Sequence, residues 1–222
     1  MMTGGEPGGG IPSVRDQITE LWGCPIREVM GGTDFYPLVW AECSQNQGMH
    51  FVAPEFGWFE LVEPQSGSRV PLEEGAVGEL VYTHLQREAA PIVRFRHRDI
   101  VRVMSTGACA CGRHTPSIRC IGRADDMLIV KGVNLFPSAV RAVLSEVPGL
   151  GSEFRIVRPK GVYTLPGPLK LKIEITANSS VNAKTLEESL HQRLSVAFSI
   201  SLVEEGSLIS ASNHKTGYFE DE

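Results

Sequence analysis

The sequence predicts a protein of α/β and α+β class, with a β-rich amino-terminal part followed by a smaller α+β carboxy-terminal part. Three observations carry this. Residues 25–83 hold short strand-like runs punctuated by turns such as Pro64-Gln-Ser-Gly67. Leu169-Lys-Leu-Lys-Ile-Glu-Ile175 alternates strictly, the pattern of a strand with one wet face. On either side of it, Val140, Val143, Leu144 and Val147, then Leu186, Leu190 and Leu194, recur at helical spacing.

Taken in order, residues 3–10 are glycine-rich and form a loop. A helix follows from Ile11 or Pro12 to Trp22, because Val14, Ile18, Leu21 and Trp22 share one face and proline favours a first turn. Pro25–Val29 is a short strand running into the loop Gly31-Gly-Thr-Asp34. His50–Val62 and Gly78–Thr83 are strand material, read as hairpins in a small barrel-like or distorted sheet. Beyond Arg123 the order is β-α-β-β-α-β. Met127–Val130 is a strand, Gly132 and Asn134 supply a turn with positive φ, Pro137 opens a helix over 138–147, and strands cover 154–157, 169–175 and 200–203. The expected boundary lies between Gly122 and Asp125, giving parts 1–122 and 123–222.

Composition narrows the function. With 222 residues, 42% hydrophobic and 21% charged, the chain is an ordinary globular sequence, long enough for one large core or two smaller ones. Its formal charge of −5 argues against nucleic acid or an acidic membrane as the main partner. No apolar run approaches the roughly 20 residues that span a bilayer, and the amino terminus lacks the basic and apolar regions of a signal peptide. The expected location is the cytoplasm. Five cysteines, an odd number, suit reduced thiols or metal ligands better than a disulfide framework.

The most informative segment is Gly122-Arg-Ala-Asp-Asp-Met-Leu-Ile-Val-Lys-Gly-Val-Asn-Leu-Phe-Pro137, preceded by the charged cluster Arg94-Phe-Arg-His-Arg-Asp99. Together they resemble the adenylate-forming acyl-CoA ligases, most closely the phenylacetate-CoA ligase branch. That family carries an aromatic-Arg-Thr-Arg-Asp motif ahead of a Gly-Arg-x-Asp-Asp-Met-Leu-Ile-x-x-Gly-Val-Asn-x-Phe-Pro motif. Here His97 stands where Thr is usual. The resemblance covers essentially all of the chain but only the carboxy-terminal part of the family: a partial large domain with a β-rich subdomain, then a mobile lid.

What the resemblance implies is ATP-dependent activation of an aryl or arylacetic carboxylate to an acyl-adenylate, then transfer to CoA. Gly5, Glu6 and Pro7 match the loop whose backbone lies along the adenine. Met30-Gly31-Gly32-Thr33-Asp34 matches the Tyr-Gly-x-Ser/Thr-Glu loop, which stacks adenine, bonds phosphate through the hydroxyl and holds Mg²⁺ through the carboxylate. Met30 would stack more weakly than an aromatic. Asp34, a methylene shorter than Glu, would reach Mg²⁺ through a water. Asp99 would accept from the ribose hydroxyls, although an ion pair with Arg96 or Arg98 is an alternative. Arg123 would touch the α-phosphate or ribose, Asp125 is the hinge of the lid, and Lys131 and Gly132 would line the pantetheine path of CoA. Lys215 is the nearest match to the family's catalytic lysine, though the motif around it is eroded. A solvated tail lysine is the competing reading.

Cys109-Ala-Cys111 lies in a turn that suggests two thiolate ligands, and Cys43 and His50 would complete a Cys₃His set, the donor choice of structural Zn²⁺. Some relatives in the family carry a matching set. Cys24 and Cys120 are read as buried apolar residues, and His84, His97, His114, His191 and His214 as surface or loop positions. Nothing here matches the family's Ser/Thr/Gly-rich phosphate loop. The chain is therefore expected to be inactive alone, either as a gene fragment or as a component that pairs with an upstream half. Its rivals are a non-catalytic nucleotide- or partner-binding remnant, an adenylyl transferase using another acceptor, and a zinc-centred interaction module.

Overall fold

The computed structural model describes residues 1–5, 9–208 and 217–222. It contains two compact units, Met1–Asp125 and Asp126–Glu222, so the units meet three residues beyond the expected end of the first part.

The first unit is built on one nine-stranded sheet. Its elements are β1 (Met2–Thr3), α1 (Pro12–Trp22), β2 (Arg27–Met30), β3 (Trp40–Glu42), β4 (Met49–Phe51), β5 (Gly57–Val62), β6 (Arg69–Val70), β7 (Val77–His84), β8 (Phe95–Ser105) and β9 (Ser117–Arg123). The strand order is β1-β2-β3-β4-β9-β8-β7-β5-β6. All neighbours are antiparallel except β1 and β2. The seam between β4 and β9 is short, with Met49 opposite Ile118 and His50 opposite Ser117. Trp40, Met49, Leu80, Tyr82, Val101 and Ile118 fill the core. Trp40 is fully buried, and its indole Nε1 donates to the Tyr82 hydroxyl at 2.8 Å, so neither polar tip is left unpaired in an apolar setting.

Helix α1 starts at Pro12, as proline's fixed φ favours. It ends on Gly23 in the left-handed region, where the Gly23 N–H reaches Thr19 O. None of its residues is buried, and Leu21 and Trp22 are 81% and 69% exposed. The apolar stripe read from the sequence exists, but its far end packs on nothing among the described residues.

The second unit contains β10 (Leu128–Val130), β11 (Val133–Leu135), α2 (Pro137–Leu144), β12 (Leu150–Arg158), β13 (Thr164–Leu165), β14 (Leu169–Ile175), α3 (Ala183–Leu194), β15 (Phe198–Glu204) and β16 (Phe219–Asp221). One sheet runs β15-β14-β12-β16 and a smaller one β11-β10-β13. Inward residues of β14 (Leu169, Leu171, Ile173) meet Val140 and Leu144 of α2 and Leu186 and Leu190 of α3 in one core, as the alternation and helical spacing require. Asn182 caps α3 by accepting from the Lys184 and Thr185 amides, leaving fewer orphan donors at that end. Three sequence expectations need correction. Helix α2 stops at Leu144, where Ser145 closes it, and does not reach Val147. Asn134 lies within β11; the left-handed turn between β10 and β11 is made by Lys131 and Gly132, with φ of 49° and 83°. The unit also has three more strands (β11, β13 and β16) than the β-α-β-β-α-β pattern allows.

Candidate nucleotide site and metal centre

Phe95–Asp99 of the charged cluster opens the eleven-residue strand β8. Arg98 has φ 72°, and the strand is irregular against both neighbours. The side chains sort into two groups. Arg96 pairs with the buried Glu79 of β7 through Nε at 3.1 Å and through Nη2, and Arg98 Nη1 lies 3.9 Å from the same carboxylate. Neither of them partners Asp99, so the ion-pair alternative for that residue is replaced by a different set. Asp99 Oδ1 accepts from Arg123 Nη1 at 3.3 Å, and Asp99 Oδ2 lies 2.5 Å from His97 Nδ1. His97 is therefore not a surface or loop histidine. Its side chain is only 15% exposed and meets the Tyr82 and Phe95 rings edge-on.

The far side of that imidazole faces the loop after β2. A methyl group added to Gly32 would sit 2.4 Å from His97 Nε2, and one added to Gly31 would sit 2.3 Å from Pro37 O. Both glycines are therefore dictated by close approach. The Gly32 amide donates to Tyr36 O at 2.7 Å and the Phe35 amide to Gly32 O at 3.2 Å, closing a turn around Thr33 and Asp34. The Asp34 carbonyl accepts from Arg87 at 2.7 Å. Met30 ends β2 opposite Trp40 and is half-buried against the core. One unit thus brings together Asp99, Arg123, His97 and the Gly31–Asp34 loop.

The glycine-rich start is seated on the same sheet. Gly5 has φ 93°. A methyl at Gly10 would lie 2.9 Å from Glu28 Oε1, and one at Gly9 would lie 2.2 Å from Thr3 Oγ1. Burial, followed by the neighbouring Glu42 carboxylate, raises the Glu28 pKa from 4.5 to about 7. Glu42 Oε2 accepts from the Glu28 amide at 3.0 Å and from Arg15 at 2.8 Å. Asp125 closes the first unit and holds the Arg123 fork by two bonds, 2.9 and 2.8 Å. The Ala124 amide is tied to Arg98 O at 2.7 Å. Lys131 and Gly132 form the tip of the β10–β11 hairpin in the second unit. Glu6, Pro7 and Lys215 lie outside the described residues. The nearest described residue before Lys215, Leu208, is clamped: its amide donates to Glu174 Oε1 at 2.8 Å and its carbonyl accepts from Arg155 at 2.6 Å.

The second constellation is formed by Cys43, His50, Cys109 and Cys111, whose ligand atoms all lie within 4.8 Å of one another. Cys43 Sγ is 3.8 Å from Cys109 Sγ, and Cys111 Sγ is 3.9 Å from His50 Nε2. A tetrahedral zinc with Zn–S bonds of about 2.3 Å places its ligand sulfurs about 3.8 Å apart, so the spacing fits. His50 Nδ1 lies 3.1 Å from Thr115 O; if it carries the proton there, Nε2 is left as the ligand. The Gln45 and Cys111 amides point at the Cys43 and Cys109 sulfurs at 3.4 and 3.5 Å. The Arg113 amide and guanidinium lower the Cys111 pKa from 9.0 to about 6. Cys111 is thus favoured as a thiolate before any ion binds, whereas the Cys109 pKa is raised, because the lowering by the Cys111 amide is outweighed by burial and by the neighbouring Cys111 and Cys43 thiols. The other two cysteines differ from expectation: Cys24 and Cys120 are half-buried rather than buried. Burial still pushes the Cys120 thiol up to about 12.

Comparison with known proteins places the chain in a family. Residues 132–222 match the family of AMP-binding enzyme C-terminal domains. A phenylacetate-coenzyme A ligase from Thermus thermophilus is 36% identical over 168 residues, which cover 74% of this chain and 36% of that protein. One from Escherichia coli is 33% identical over 163 residues, 73% of this chain and 34% of that protein. The chain belongs to the phenylacetate-CoA ligase family. It corresponds to the carboxy-terminal portion, and it spans about a third of the length of these curated relatives. A 2-hydroxyisobutyryl-CoA ligase, crystallised in the postadenylation state with R3-HIB-AMP, superposes with a TM-score of 0.86 at 27% identity. All of this chain and 48% of that ligase are covered. Around the Arg94–Asp99 cluster, sequence reasoning missed two contacts, the His97 imidazole on Asp99 and the Glu79 carboxylate on Arg96. The substitution of His for Thr was the available signal for the first. Glu79 carried none, because only the pairing of β7 with β8 brings it to Arg96.

Proposed function

We propose that the chain is the nucleotide- and CoA-handling portion of a ligase that activates an aryl or arylacetic carboxylate. In the first step the carboxylate attacks the α-phosphate of ATP, forming acyl-adenylate and releasing pyrophosphate. In the second the CoA thiol attacks the acyl carbon and AMP leaves. The observation that carries this reading is the register pairing of Asp99 with Arg123 beside the Gly31–Asp34 loop. Asp99 is an acceptor for the ribose hydroxyls and Arg123 a cation for phosphate, while the Thr33 hydroxyl is a donor to phosphate.

Asp34 would hold Mg²⁺, which neutralises charge on the phosphates. Asp125, fixed by Arg123, would serve as the fulcrum on which the second unit turns between half-reactions. Lys131 and Gly132 would line the pantetheine path, and Lys215 would steady charge on the carboxylate and α-phosphate. Cys43, His50, Cys109 and Cys111 would hold a structural Zn²⁺. Its closed Cys₃His set leaves no open position and supplies stability, not chemistry. The exposed Leu21 and Trp22 of α1 support a docking face for an upstream half of the ligase.

The test supplies the 222-residue chain with ATP, Mg²⁺, CoA and phenylacetate, with and without an upstream half carrying a phosphate loop. Mass spectrometry then reads AMP, thioester and adenylated products. Thioester only with both halves present is the expected outcome. A stable adenylated product without thioester would make the chain part of an adenylyl transferase, and robust thioester formation by the chain alone would overturn its dependence on a partner.

A further inference from the structure

We infer that His97 is a further nucleotide-binding residue, its imidazole donating Nε2–H to a phosphoryl oxygen lodged against the Gly31–Thr33 loop. The inference rests on the nucleotide site proposed above and adds a phosphate contact to it.

Three features of the ring lead there. Asp99 Oδ2 lies 2.5 Å from Nδ1, which fixes that nitrogen as the inward donor and leaves Nε2 as the outward edge. Nε2 is the atom that a methyl on Gly32 would strike, so this edge is aimed at the loop. Among the described residues no hydrogen bond engages Nε2. The ring is also locked: Tyr82 and Phe95 hold it edge-on at centroid distances of 5.6 and 6.1 Å.

Two other donors near the loop are already engaged. The Gly32 amide, which could otherwise turn toward an anion, is spent on Tyr36 O. Arg123 divides its guanidinium between Asp99 and Asp125. An imidazolium beside Asp99 provides an N–H directed at the loop. The doubly protonated ring would bridge the Asp99 carboxylate on Nδ1 and the phosphoryl oxygen on Nε2. A ring that merely propped Asp99 would act on the ribose contact and not on the phosphate.

That difference gives the test. AMP and adenosine are titrated into the wild-type chain and into His97→Phe and His97→Thr, each first checked for a wild-type backbone amide spectrum. The loss of one charge-assisted hydrogen bond predicts AMP affinity about tenfold weaker in both variants, with adenosine changed less than about twofold on the same scale. In the wild type, the His97 Nε2 resonance moves on adding AMP and stays in place on adding adenosine; this readout needs no variant. Equal losses for AMP and adenosine, unchanged AMP affinity, or a silent Nε2 resonance would overturn the inference while leaving the nucleotide site intact. Failure of the wild type to bind either ligand would overturn that site and the inference with it.

Discussion

Asp99 on β8 and Arg123 on β9 stand opposite each other in the sheet register, and Arg123 Nη1 donates to Asp99 Oδ1 at 3.3 Å. This pairing joins the two sequence motifs, which lie 24 residues apart. If Asp99 is the ribose acceptor, Asp99→Ala removes the acceptor from two hydroxyls and should weaken adenosine and AMP alike, by at least about tenfold. Isothermal titration of both ligands checks this, and an intact affinity for adenosine would count against the ribose role.

Zinc content should be close to one ion per chain by elemental analysis and should disappear in Cys43→Ala or Cys111→Ala. Loss of the tie should destabilise the first unit by roughly 3 kcal/mol or more, seen as a melting transition about 10 °C lower. The second unit, with its own core, should melt as before. A protein that is metal-free as isolated, with unchanged stability in the variants, would dispose of the structural zinc.

Glu28 sets a pH dependence. Its folded pKa of about 7 lies above the ordinary glutamate value of 4.5. Between those values the unfolded chain gives up a proton that the folded chain keeps, so this group's stabilisation is whole below about pH 4.5 and is lost as pH rises through about 7. Glu28→Gln should therefore leave stability little changed at pH 4 and raise it at pH 8, by up to about 3 kcal/mol. Urea midpoints at the two values decide it; a variant less stable at pH 8 would contradict the assignment.

Glu174 is fully buried and accepts from the Leu208 amide. Glu174→Ala should cost the second unit about 2 kcal/mol through the orphaned amide. Hydrogen exchange at Leu208 should then rise well above its neighbours on β14, whereas unaltered protection there would show that Arg155 suffices.

Much of the fold was legible. The strict alternation of β14 and the spacing of α1 and α3 each reflect a local period, and the sequence states local periods openly. Strand β9 was not, because Ser117-Ile-Arg-Cys-Ile-Gly-Arg123 mixes polar and apolar residues without a clean period. It forms because β4 and β8 flank it. Short strands such as β6, β13 and β16 likewise depend on a partner's edge. In the site, Asp99, Arg123 and the four metal-type ligands could be read from motif and residue type. The role proposed for His97 could not, since it depends on a glycine 65 positions earlier in the chain lying against one ring nitrogen.

The ligand set Cys43, His50, Cys109 and Cys111 straddles the short β4–β9 seam, and Cys43 and Cys109 are 66 residues apart in the chain. An ion gripped by these four atoms would rivet the two halves of the large sheet together where the ladder between them is only two residue pairs long. Withdrawing it would let that sheet hinge open between Met49 and Ile118 before either half lost its own strands.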